Sequence, residues 1–163
     1  MKKALVFAAL AAVVSSPALA APDSSNAVGS AKATVVGPIT LTHDANAVLS
    51  FGSFTTGTNG GSVIVTKAGN GSATGDVTLV AGSVESADSF TVTGDSGRAF
   101  QVTTFADVVS FGGTDMAFVP NATKNQTLTG GSVQFSVGGT LTVPGGAPAG
   151  DYVGTYDVTA AYN

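Results

Sequence analysis

Val133-Gln134-Phe135-Ser136-Val137 and, after Gly138-Gly139, Thr140-Leu141-Thr142-Val143 place an apolar side chain at every second position. A period of two belongs to a strand with one face in a core and the other in water; a helix would need apolar residues three and four apart. The same alternation occurs upstream in Phe90-Thr91-Val92-Thr93 and Phe100-Gln101-Val102-Thr103. Between the alternating runs lie Gly57-Thr58-Asn59-Gly60-Gly61, Gly69-Asn70-Gly71, Gly94-Asp95-Ser96-Gly97 and Pro144-Gly145-Gly146. Gly and Asn tolerate the positive φ of tight hairpins, so each cluster is read as a turn. No stretch has helical spacing. The pattern predicts an all-β protein, an antiparallel β-sandwich.

The start of the chain reads as an address. Met1-Lys2-Lys3 precedes an apolar run from Ala4 to Val14, then Ser15-Ser16-Pro17 and Ala18-Leu19-Ala20. This is the order of a secretory signal peptide, with a small-x-small cleavage site before Ala21. The apolar run is well short of the roughly 20 residues that cross a bilayer as a helix. Residues 1–20 are expected to be removed, residues 21–36 to form an extension, and residues 37–163 to form a single domain. The mature protein is then exported, to the periplasm, the cell surface or the medium, with no membrane span of its own.

Charge and composition narrow the function. Of six Lys and Arg against ten Asp and Glu, Lys2 and Lys3 leave with the signal. The acidic remainder lacks the clustered positive charge that nucleic acid or anionic lipid requires. Cys is absent and there is one histidine, His43. Thiol chemistry, disulfide staples and Cys/His zinc sites are therefore unavailable.

Gly94-Asp95-Ser96-Gly97 has the string found around a serine-protease nucleophile, but such a serine needs a histidine base and an oxyanion hole. His43, in Leu41-Thr42-His43-Asp44, has no flanking pattern of that kind, and the string lies where a hairpin turn belongs. Asp76, Glu85, Asp88 and Asp95 are scattered and form no calcium-loop spacing; they are read as residues of solvated strand faces and turns. Calcium held by several loops together would leave no spacing to recognise. Gly69-Asn70-Gly71 lacks the lysine and the helix of a phosphate loop. No catalytic residue, metal or cofactor is expected.

The two ends of the mature chain stand out. Ala27, Gly29, Ala31, Ala33 and Val35 alternate along the extension, and Tyr152, Gly154, Tyr156, Val158, Ala160 and Tyr162 share one face of a terminal run. A strand of that length is expected deep in a sheet.

The order of several blocks resembles a bacterial exported family, domain of unknown function 4402. They are Pro38-Ile39-Thr40-Leu41, Leu49-Ser50-Phe51-Gly52, Gly60-Gly61-Ser62-Val63-Ile64-Val65, Phe90 to Gly94, Val137 to Val143 and Ala149 to Thr159. That family is similar in pattern to pilin and spore-coat-U-like subunits of chaperone–usher systems. The resemblance implies an immunoglobulin-like sandwich lacking one strand. Such pilins end on a penultimate tyrosine, here Tyr162, and carry a glycine fourteen positions from the end, here Gly150. The pilin cysteine pair is absent.

A sandwich short of one strand leaves unpaired backbone, which a strand from another molecule satisfies by β-augmentation. The resemblance thus implies a non-catalytic, pilin-like subunit that self-assembles, or is held by a periplasmic chaperone, through strand pairing. Ala27, Gly29, Ala31, Ala33 and Val35 would donate; Gly150, Tyr152, Tyr156, Val158 and Tyr162 would line the accepting edge. The alternative is a monomeric adhesin-like module that recognises glycan or matrix.

Overall fold

A computed structural model describes residues 24–163, in two units that divide between Thr34 and Val35. The signal-peptide reading of residues 1–20 lies outside the described residues. Residues 24–34 carry no strand, and their side chains are exposed. Residues 35–163 are all β. Ten antiparallel strands make them up: β1 (Thr40–His43), β2 (Phe54–Val65), β3 (Gly71–Leu79), β4 (Asp88–Thr93), β5 (Ala99–Thr104), β6 (Asp107–Phe111), β7 (Thr114–Asn121), β8 (Asn125–Thr127), β9 (Ser132–Val143) and β10 (Val158–Tyr162). A single 3₁₀ turn, Thr129–Gly131, precedes β9. Among the described residues no helix is long and apolar enough to cross a membrane.

Seven strands form one sheet, in which β1, β4, β9, β2 and β3 follow in that order and β7 pairs with both β6 and β9. β10, β5 and β8 form a second, three-stranded sheet. β9 organises the larger sheet. Its first half, Ser132 to Val137, pairs with β4, and its second half, from Gly138, pairs with β7 and β2. The changeover falls on Gly138-Gly139, both buried. A side chain at Gly138 would run into the carbonyl oxygen of Val65, so the backbone of β2 can approach β9 only where no Cβ intervenes.

The alternating runs bury the faces that their pattern predicts. Val63, Val65, Val77, Met116, Phe118, Leu141 and Val143 form one apolar cluster with Phe51. Phe90, Val92, Phe100, Val102, Leu128, Phe135 and Val137 form another, in which β4 and β9 meet β5 of the smaller sheet.

Three expectations are corrected. Gly57 to Gly61 is no turn between strands but an irregular stretch within β2, where the register with β3 shifts between Thr56 and Gly61. Gly60, at φ 68°, supplies the positive φ that this bulge needs. Gly94 to Gly97 is a turn, but it carries the chain from β4 to β5, which belong to different sheets, and so it closes no hairpin. The terminal strand covers only Val158–Tyr162 and lies at the edge of the smaller sheet rather than deep in one. Its partner β5 ends at Thr104, opposite Val158, and the ladder ends with it. Gly69-Asn70-Gly71 closes the β2–β3 hairpin, as its composition predicts.

Candidate functional site

Among the described residues, the chain between β1 and β2, residues 48–53, and the chain before β10, residues 147–154, enter no ladder: each has one isolated bridge, Ser50 with Ser86 and Val153 with Ser110, and the Ser53 carbonyl also accepts from the Val80 amide. These two stretches, with Phe54, Thr55 and Thr56 of β2, line an open groove of about 590 Å³ whose floor includes Met116 and Leu141 of the core. A second cavity, of about 350 Å³, shares Val48, Leu49, Phe51, Val109 and Gly154 with it and extends to His43, Asp88 and Tyr156. One side of the apolar cluster around Met116 is therefore covered by segments that form no ladder.

The polar wall of the second cavity is a three-residue network. Asp88 opens β4 on the same face as Phe90 and Val92, so the strand directs its carboxylate inward, and the residue is only 4% exposed. A buried carboxylate needs donors for its lone pairs. The Tyr156 hydroxyl donates to Oδ2 at 2.8 Å, the Ser89 amide donates to Oδ1 at 2.8 Å, and His43 Nε2 lies 2.7 Å from Oδ1. Burial, and then the adjoining Asp88 carboxylate, push the Tyr156 phenol far above its ordinary range, so Tyr156 remains a neutral donor. Its ring meets Phe90 and Phe118 edge-on, one from each apolar cluster.

His43 and Asp44 diverge because neighbouring residues of a strand point to opposite faces. While His43 turns to the cavity, Asp44 accepts hydrogen bonds on the outer face from Ser89, Thr91 and Gln134, at 2.6–2.7 Å. These bonds, Ser89's foremost, hold the Asp44 carboxyl below its ordinary value.

His43 and Ser96 are not brought together. His43 pairs with Phe90 at one end of β4, and Ser96 follows Thr93 at the other. The strand alone carries Thr93 roughly 10 Å from Phe90, and Ser96 lies in the turn beyond it. The Gly94-Asp95-Ser96-Gly97 turn has another role: the Asp95 amide donates to the Tyr162 hydroxyl at 2.8 Å, Asp95 Oδ2 accepts from the Gly37 amide at 3.0 Å, and Arg98 stacks over the Tyr162 ring. Tyr162 is thereby fixed at the end of β10.

The residues expected at the accepting edge divide into two groups. Val158 and Tyr162 lie in β10, which has no partner on its far side among the described residues. Tyr152 and Tyr156 are half-buried against the Met116 cluster, outside any ladder, and Gly150 lies close beneath the Phe111 ring. Of the expected donor residues, Ala27, Gly29, Ala31 and Ala33 lie in no strand and are exposed, and Val35 is 96% exposed. The role of Asp88 was not foreseen: it is no residue of a solvated face but a buried anchor. Its place on the Phe90–Val92 side of the alternation is the signal that identifies it.

No curated protein and no solved structure matches the chain. The family described as Domain of unknown function (DUF4402) matches residues 39–162, which run from the approach to β1 to the end of β10. The chain belongs to that family.

Proposed function

We propose that this protein is an exported, non-catalytic structural subunit, a pilin-like sandwich of immunoglobulin type that is incomplete along one side. It assembles at or near the cell surface by accepting a strand from a second copy. The observation that supports this reading is the groove between residues 48–53 and 147–154, where the buried Met116 and Leu141 are covered by chain that, among the described residues, enters no ladder. The edges of β1 and β10, which come near each other and have no partner among the described residues, add to it. A strand laid along such an edge gains main-chain hydrogen bonds and buries alternate side chains.

The occupant is the segment around Ala27 to Val36 of the neighbouring copy, which is exposed and lies in no strand of its own chain. Its small side chains bury little area in a groove of this size, so the joint is weak and is released by mild heating. A periplasmic chaperone would hold the same edge before assembly.

The test is the mature protein from its native exported fraction, run unboiled and boiled on a denaturing gel. A ladder that collapses to one band on boiling is expected. Deletion of residues 21–36 is expected to abolish the ladder while the truncated protein still binds a peptide of that sequence. A single band in both lanes overturns assembly and favours a closed monomer that recognises glycan or matrix through its loops.

A further inference from the structure

The chain contains two Asn-Gly steps, Asn59-Gly60 and Asn70-Gly71, and the fold treats them differently. We infer that Asn70 is a site of spontaneous covalent modification, deamidation to aspartate and isoaspartate, and that Asn59 is protected from the same reaction by Asp76.

The chemistry needs a flexible asparagine followed by an amide nitrogen that can approach its side chain. The nitrogen of the next residue loses its proton to solvent and attacks the asparagine Cγ. The bond from Cγ to the side-chain nitrogen breaks and ammonia leaves, giving a cyclic succinimide. Water then opens the ring at either carbonyl, yielding aspartate or isoaspartate. Glycine in the next position offers no side chain to hinder the attack.

Asn70 meets these conditions. It lies exposed where the β2–β3 turn closes, its backbone amide donating to Thr66 Oγ1, and its side chain has no hydrogen-bond partner among the described residues. The Thr66 amide donates to the Asn70 carbonyl, so residues 66 and 70 form a hydrogen-bonded pair. In an antiparallel ladder such pairs alternate with non-bonded ones. Val65 and Gly71 are the next pair, so the Gly71 nitrogen points away from β2. β3 is the last strand of its sheet, and this nitrogen has no acceptor among the described residues. Neither the attacking nitrogen nor the target side chain is held by a hydrogen bond, and the one neighbour close to the Gly71 Cα is the Glu85 side chain rather than backbone.

Asn59 has the same sequence step in a locked setting. Its side-chain Nδ2 donates to Asp76 Oδ2 at 2.7 Å and its backbone amide to the same oxygen at 3.1 Å. Gly60 is buried in the β2 bulge, where the Val143 carbonyl and the Gly145 backbone crowd its Cα. Succinimide closure at Asn59 requires the charge-assisted bond to Asp76 to break and the bulge to open.

The experiment is incubation of the purified protein at mildly alkaline pH, followed by peptide mapping that separates asparagine, aspartate and isoaspartate at both sites. Asn70 is expected to convert at least about tenfold faster than Asn59, the factor for one charge-assisted hydrogen bond that must break first. Asp76→Ala, at an exposed position, is expected to raise conversion at Asn59 and leave Asn70 unchanged. In denaturant both sites are expected to convert at similar rates. Equal rates in the folded protein, an intact Asn70, or a slow Asn59 that persists in denaturant would each overturn the inference.

Discussion

The two apolar clusters have the same chemistry but different boundaries. Around Phe100, Val102 and Leu128, the smaller sheet lies over β4 and the first half of β9, and ladders run on both sides. Around Met116 and Leu141, the strands of one sheet supply most of the wall, and the rest is Leu49, Phe51, Tyr152 and Tyr156 on segments that pair only at isolated points. A core can therefore be buried throughout and still be bordered on one side by chain that enters no ladder. What distinguishes the two regions is how much backbone around each is hydrogen-bonded.

The largest effect that sharpens this contrast is expected from large-to-small substitution in each cluster. Phe100→Ala should cost about 3–5 kcal/mol of unfolding free energy, because the closed cluster cannot collapse around the void. Met116→Ala should cost about 2 kcal/mol, near the low end for such changes, because the groove already borders its site. Urea unfolding of both variants checks the ordering, and equal costs would break the comparison.

A smaller effect follows from the link between the regions. Tyr156→Phe leaves Asp88 Oδ2 without its donor while keeping the ring between Phe90 and Phe118, and should cost about 1–2 kcal/mol. Hydrogen exchange should show faster opening confined to residues 147–157; protection unchanged there would mean that Tyr156 does not hold the segment. The smallest effect is on the outer face. Asp44's carboxyl is lowered in the folded state, so its stabilising contribution is complete above the ordinary value of 3.8 and is lost as pH falls through the folded value. The difference in Tm between the native protein and Asp44→Asn should be constant above about pH 4 and shrink below it.

Much of this arrangement is legible in the residues. The inward faces of β4, β5 and β9 follow from a period of two, and Gly69-Asn70-Gly71 marks its hairpin. What escapes is set by partners distant in sequence. Gly57 to Gly61 has turn composition, yet β3 and β9 capture the flanks of the stretch and make it a bulge. Tyr152 to Tyr162 alternates throughout, yet only the part opposite Ala99–Thr104 pairs, because the length of a ladder belongs to both strands. The groove is least legible of all. Residues 48–53 and 147–154 are separated by nearly the whole domain, and no local pattern records that they border one opening.

The Gly138-Gly139 changeover also bears on how the molecule comes to exist. Because β9 serves β4 on one side of that point and β2 and β7 beyond it, neither cluster can close before its own half of the strand is in place. A chain emerging from its amino-terminal end could form the β2–β3 and β6–β7 hairpins early, but β2, β4 and β7 would wait on a shared partner that is complete only at Val143. Contacts so remote in sequence make folding slow, and the order of arrival makes it late. Local hairpins would come first, and the sheet that joins them would be assembled only when β9 arrives.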